Sequence, residues 1–124
     1  MSNQMTPYEA LGGEAVLSEL VDTFYSYVAN HPDLAPLFPK DLTETARKQK
    51  QFMTQFLGGP SLYTEEHGHP MLRARHMPFP ISKKEAEAWL SCMNKAMDTV
   101  NVEGLIREYM MERLTMTAHH MVNK

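Results

Sequence analysis

The eight prolines and six glycines of this chain stand between stretches of helical period rather than within them, and this punctuation constrains the fold more than any other feature. A proline inside a helix removes a hydrogen bond and clashes with the preceding turn, so each one marks a beginning or an end. Thr6-Pro7-Tyr8-Glu9 sets a cap, a proline at the first helical position and a capping-box glutamate in order, and Gly12-Gly13 ends that short turn. A longer helix is predicted from there to about Asn30, with Val16, Leu17, Leu20, Val21, Phe24 and Val28 at helical spacing, stopped by His31-Pro32. Residues 32–40 carry three prolines around Leu34, Leu37 and Phe38, which makes an apolar but irregular corner.

The spacing predicts a second long helix over about 42–57, closed by Gly58-Gly59-Pro60, with Thr45, Gln49, Phe52, Met53 and Phe56 on its inward stripe. Residues 61–69 read as a loop, and the run from Met71 to His76 as a short helix that Pro78 and Pro80 stop. Ser82-Lys-Lys-Glu85 is another capping box, opening a helix to about Val100 with Ala86, Trp89, Leu90, Met93, Met97 and Val100 inward. Asn101 to Gly104 is a turn, and the last helix runs to about Val122 with Ile106, Tyr109, Met110, Leu114, Thr117 and Met121 on one side. Strands have little room, and no internal repeat, linker or low-complexity segment is present. The expected class is all-α, a single domain over residues 1–124 with 1–5 flexible.

With 43% apolar residues in 124, the chain can bury a modest core. Its formal charge is 12 − 15 = −3 with the cations dispersed, so a nucleic-acid footprint is absent and attraction to a membrane surface is not expected. Cys92 stands alone, which excludes an internal disulfide framework, suits a reducing compartment and is most simply read as a small packing residue. The first residues lack the basic and apolar regions of a signal peptide and no apolar run approaches a membrane span, so the expected location is cytoplasmic.

His76 is the most informative single residue. An imidazole held near a helix end, flanked by Arg73 and Arg75 and by apolar Leu72, Met77 and Phe79, suits ligation of one face of a haem, with the arginines available to its propionates. The same stretch also reads as an ordinary helix-end cation or a surface group. Likewise, four long amphipathic helices read as a small bundle, with the 11 methionines as adaptable core filler. Against the bundle stand Tyr25, Thr45, Gln49 and Trp89, which occupy or adjoin inward stripes on three helices. An unsatisfied buried polar group costs about 1–3 kcal/mol, so four such placements call for partners, and a polar ligand in a cavity supplies them. His67 and His69 leave open a non-haem metal site with His76, whereas His31, His119 and His120 read as surface residues.

Seven pieces in this order, Tyr8-Glu-Ala-Leu-Gly-Gly13, Phe24-Tyr25, Leu37-Phe38-Pro39, Lys48-Gln49-Lys-Gln-Phe52, Phe56-Leu-Gly-Gly-Pro60, Arg75-His76 and Trp89, resemble the truncated haemoglobins of the second group, over essentially the whole span from Tyr8 to about Val122. The resemblance implies a shortened globin fold, two helices crossing over two, holding haem b. It places the proximal iron ligand on His76 and the distal, ligand-binding positions on Tyr25, Thr45, Gln49 and Trp89. Phe38 matches the aromatic that packs on the porphyrin face; some relatives carry a tyrosine there, whose hydroxyl this chain lacks. Lys48 and Arg75 match positions near the propionates, with Tyr63 and His67 as lesser candidates for the same edge.

The chemistry implied is that of an iron with one histidine and an open position, whose diatomic ligand is stabilised by the donors of Tyr25, Gln49 and Trp89. Apolar Phe38, Phe52, Met77, Phe79 and Met93 are expected to exclude water. The leading reading is reversible binding of O2 and other diatomic ligands, for carriage, scavenging or sensing, by a monomer or weak homo-oligomer. The alternative is a haem enzyme, peroxidase-like or a nitric oxide dioxygenase, which needs an external reductase because nothing here looks like a flavin or nicotinamide site. A haem-free helical module is the third.

Overall fold

Capping chemistry fixes where the first helix starts. In the computed structural model, which describes residues 5–124, Thr6 N–H donates to Glu9 Oε1 and Glu9 N–H donates to Thr6 Oγ1, each at 3.1 Å, and this reciprocal box opens α1 (Pro7–Leu11). Gly12 at φ 123° turns the chain into α2 (Gly13–Ala29); a Cβ there would meet Val16 Cγ2 at 2.5 Å, so only glycine fits. Of the residues expected to be flexible, 1–4 lie outside the described residues, and Met5 is exposed.

A single 3-10 turn, Ala35–Leu37, forms the proline corner before α3 (Thr43–Phe56). The segment 61–69, expected to be a loop, instead contains α4 (Leu62–His67), closed by Gly68 at φ 80°. α5 (Leu72–His76) follows as expected, then α6 (Lys83–Thr99) and α7 (Leu105–His120). Ser82 N–H and Oγ both lie 2.7 Å from Glu85 Oε1 at the start of α6. No strand occurs among the described residues, and no described helix is long and apolar enough to cross a membrane.

α2 packs on α3 and across α6, and α6 packs on α7, so two helices lie over two. The core between the layers centres on Phe24, with Leu17, Leu20, Val21 and Val28 from α2, Met53 from α3, Met93 and Met97 from α6 and Met110 from α7, all buried. Burying each such side chain contributes roughly 1.5–3 kcal/mol. Cys92 is buried as well, and burial pushes its thiol pKa up. The junction of α1 and α3 is tight: Tyr8 N–H donates to Leu57 O at 2.9 Å, and a Cβ on Gly59 would meet Thr54 Cγ2 at 2.9 Å.

Two predicted stripes divide between the core and other surroundings. α3 turns Ala46, Met53 and Thr54 into the core, with Thr54 Oγ1 donating to Lys50 O at 2.7 Å, while Thr45, Gln49 and Phe52 are only partly buried. On α7, Met110 and Leu114 are buried but Tyr109 is exposed, its ring beneath the Arg113 guanidinium. His31 is partly buried rather than a surface residue, its Nδ1 accepting from Asp33 N–H at 3.1 Å.

α4 is too short to persist by itself and is clasped to α3. Arg47 donates to both oxygens of Glu66 at 3.0 and 2.7 Å, Gln51 Nε2 donates to Glu66 at 3.0 Å, and Gln55 exchanges two bonds with Thr64. The bonds from Arg47, then Gln51, hold the Glu66 carboxyl down at about 2. A depressed carboxylate stabilises the folded state fully above its unfolded pKa, near 4.5, and loses that contribution as pH falls through the folded value. The clasp should therefore open between pH 4.5 and 2, and Glu66→Gln should remove that pH dependence. Carboxyl NMR of Glu66 checks this; a midpoint near 4.5 contradicts it.

Candidate functional site

The stripe that α3 does not commit to the core borders a cavity of about 430 Å³ between the layers. α2 contributes Tyr25 to its lining, the proline corner Phe38, α3 Thr45, Lys48, Gln49 and Phe52, α5 Leu72, Arg75 and His76, and α6 Glu85 and Trp89. Phe79 and Ile81 close it between α5 and α6. α7 adds Leu114, Thr117, Ala118 and Met121. The size and the mixture of an apolar wall with a few polar groups suit a small-molecule or cofactor site.

One end of the lining is built on strained, proline-bounded backbone. Met71 adopts φ 47°, ψ 49°, the left-handed region that costs a side-chain-bearing residue about 1–3 kcal/mol, and its N–H donates to His69 Nδ1 at 3.2 Å. One turn later His76 Nδ1 lies 2.7 Å from Leu72 O. A carbonyl can only accept, so Nδ1 carries the proton, and in the neutral ring Nε2 keeps its lone pair. Nε2 has no hydrogen-bond partner among the described residues. That is the state in which imidazole ligates a metal.

The polar groups of α2, α3 and α6 share one property. Tyr25, Thr45, Gln49 and Trp89 make no side-chain hydrogen bond among the described residues, yet no described buried side-chain nitrogen or oxygen lacks a partner. Their polar atoms are therefore not sealed in the core but open on the cavity they line. Tyr25 is only 6% exposed, and burial pushes its phenol pKa far above the ordinary value, so the hydroxyl stays protonated and available as a donor. Phe24 fixes two of the four, with ring centroids 4.9 Å from Tyr25 and 4.8 Å from Trp89. Phe38 meets the Tyr25 ring edge-on at 5.9 Å.

Not every candidate comes to the cavity. Met93 is buried in the core, Met77 is exposed, and Tyr63 is buried against Phe52 and His67, so none of the three lines it. Arg73 turns away to the carbonyls of His120 and Val122, at 2.8 and 3.3 Å, whereas Arg75 and Lys48 border the cavity. His67 and His69 do not assemble with His76: His67 Nε2 donates to Gln51 Oε1 at 2.8 Å, and no group of three metal-ligating side chains exists among the described residues. Sequence reasoning missed Glu85 as a lining residue because its capping role accounts for it fully. It gives Leu114, Thr117 and Met121 only as one side of the last helix, and the tertiary structure makes them part of the cavity wall.

The chain matches the bacterial-like globin family over residues 6–123. It is 70% identical to the group 2 truncated hemoglobin YjbI of Bacillus subtilis (strain 168) over 118 residues, 95% of this chain and 89% of that one. The crystal structure of the group II truncated hemoglobin from Bacillus anthracis superposes with a TM-score of 0.96 at 71% identity, covering 98% of each chain. The X-ray structure of the truncated oxygen-avid haemoglobin from Bacillus subtilis gives 0.94 at 70% identity, covering 96% of this chain and all of that one (100%). With a two-over-two helical fold, a cavity between its layers and likeness along nearly its whole length, this chain belongs to the bacterial-like globins as a group II truncated haemoglobin, a family membership that implies a haem cofactor and the binding of diatomic ligands.

Proposed function

We propose that this globin holds haem b through His76 and binds O2 reversibly beside Tyr25, Thr45, Gln49 and Trp89. The observation that carries this reading is the chemistry of the cavity wall. It combines an imidazole whose Nδ1 proton is committed to Leu72 O with three N–H or O–H donors, from three helices, that no described protein group uses. Haem held by a single histidine supplies an iron with one position open to a diatomic ligand.

Each residue then has a defined task. His76 gives its Nε2 lone pair, and the bond to Leu72 O stops the ring from rotating. Phe38, Phe52 and Phe79 offer apolar surface to the macrocycle and exclude water, while Lys48 and Arg75 pair with carboxylates at its edge. Tyr25, Gln49 and Trp89 donate to the ligand, and the Thr45 hydroxyl, one turn before Gln49, can donate or accept. The neutral carbonyl behind His76 favours binding over oxidative turnover, because a carboxylate there would make the imidazole more electron-releasing. The similarity to a haemoglobin described as oxygen-avid supports the same reading.

His76→Gly removes the bond from protein to iron while leaving the apolar contacts, so most haem affinity should be lost and added imidazole should partly restore it. Visible absorption of the reconstituted variant measures this; a normal spectrum without imidazole refutes the assignment of His76.

On the distal side, a hydrogen bond to a charge-bearing acceptor contributes about 1.5–3 kcal/mol, so Tyr25→Phe or Trp89→Phe should speed O2 release roughly ten- to hundredfold. Carbon monoxide should respond less, since it draws less negative charge. The donors act on one ligand, so their effects should fall short of additivity in the double variant. Stopped-flow dissociation of both gases tests this, and O2 release unchanged in both single variants would sink the polar-pocket mechanism.

A further inference from the structure

The residues that follow α7 fold back on the His76 segment. Asn123 Nδ2 donates to Phe79 O at 2.9 Å and to His76 O at 3.3 Å, and Asn123 Oδ1 accepts from Ile81 N–H at 3.0 Å. The backbone N–H groups of Asn123 and Lys124 both donate to Ile81 O, at 2.8 and 3.2 Å. A second tie comes from the other side, where Arg73 Nη1 donates to His120 O and Val122 O.

The segment needs such ties. α5 is five residues long, well short of what a helix needs to persist unaided. After it, Pro78 and Pro80 have no N–H to give, so within the stretch from His76 to Ile81 Phe79 N–H meets the His76 carbonyl at 3.0 Å, while the Phe79 and Ile81 carbonyls take their donors from Asn123 and Lys124. The bond from His76 Nδ1 to Leu72 O fixes the ring relative to α5 but says nothing of where α5 sits. Arg75 reaches from α5 to His67 O at 3.5 Å and lies over the Tyr63 ring, and Asn123 and Arg73 tie both flanks of His76 to the end of α7, which itself supplies a wall of the cavity.

We infer that Asn123 is a positioning residue for His76: through the carbonyls of His76 and Phe79 and the amide of Ile81, it sets how far the imidazole reaches into the cavity, and so the strength of the iron–histidine bond. The inference rests on the reading of His76 as the iron ligand.

Two substitutions separate the two halves of the contact. Asn123→Asp keeps an acceptor for Ile81 N–H but places an acceptor oxygen against the carbonyls of Phe79 and His76. Asn123→Ala removes both halves. Lys124→Ala is the control, because only the backbone of Lys124 is bonded. Resonance Raman spectra of the reduced, ligand-free holoprotein report the iron–histidine stretch, haem transfer to an excess of apo-acceptor reports retention, and hydrogen exchange reports the Ile81 amide.

Both Asn123 variants should lower the stretching frequency and speed haem transfer by about three- to tenfold, the effect of losing one or two ordinary hydrogen bonds. Asn123→Asp should leave the Ile81 amide protected, Asn123→Ala should expose it, and Lys124→Ala should change nothing. If Asn123→Ala fails to fold, Asn123→Asp decides. A frequency unmoved in Asn123→Asp overturns the inference even if melting falls, since a purely structural role predicts that pattern. A shift of the same size in Lys124→Ala overturns it too. Absence of an iron–histidine band in the wild-type holoprotein overturns the assignment of His76 and this inference together, whereas a wild-type band that the variants leave in place overturns this inference alone.

Discussion

Phe24 joins the packing of the fold to the chemistry of the site. Its ring is fully buried where α2 crosses α6 and lies against both Tyr25 and Trp89. Aromatic pairs at these separations contribute about 0.5–1.5 kcal/mol beyond their buried area. More important for function, each neighbour is left with an apolar face held by the core and a polar atom turned to the cavity. The donor positions follow from the interhelical contact, so neither residue needs a hydrogen bond of its own to stay in place. A site organised in this way can offer donors that the protein does not consume.

The other half of the cavity works by different means. α5 has no residue in the core, and the residue that caps its start, Met71, is strained. Prolines limit what the chain after it can do, and ties from α7 and the residues beyond settle the rest. One wall is thus rigid because it is packed, and the other because it is hydrogen-bonded. Packed walls resist changes of volume, whereas a hydrogen-bonded wall can shift a little at modest cost, which places any adjustability of the site on the His76 side.

What the sequence made legible follows this division. Helices long enough to show a 3.6-residue period and starts marked by capping boxes were readable, as were Tyr25, Thr45, Gln49 and Trp89 in the cavity lining, though not Glu85. α4 was not, because six residues carry no period and its stability lies in ion pairs such as Arg47 with Glu66, 19 positions apart. The stripe of α3 points inward as expected but meets two surroundings, since a polar-apolar row such as Thr45, Gln49 and Phe52 looks inward whether it meets a core or a cavity. Asn123 was invisible for a plainer reason. Its partners Ile81, Phe79 and His76 lie 42 to 47 positions away, and one asparagine near the end of a helix signals nothing until the ends meet.

The same geometry couples stability to whatever fills the cavity. The described residues line a cavity of about 430 Å³, and among them Tyr25, Gln49 and Trp89 have no side-chain hydrogen-bond partner. A group bound there gives the apolar lining contact atoms and the donors an acceptor. A bound group that meets both needs interacts with the folded chain and not with the unfolded one, so it stabilises the fold by mass action, by about 2.7 kcal/mol at a hundredfold excess over its dissociation constant. Net stabilities of domains are only about 5–15 kcal/mol, which makes that a substantial share. On the reading proposed above, donors that the chain does not use among its own groups are therefore a source of stability that a bound cofactor draws on.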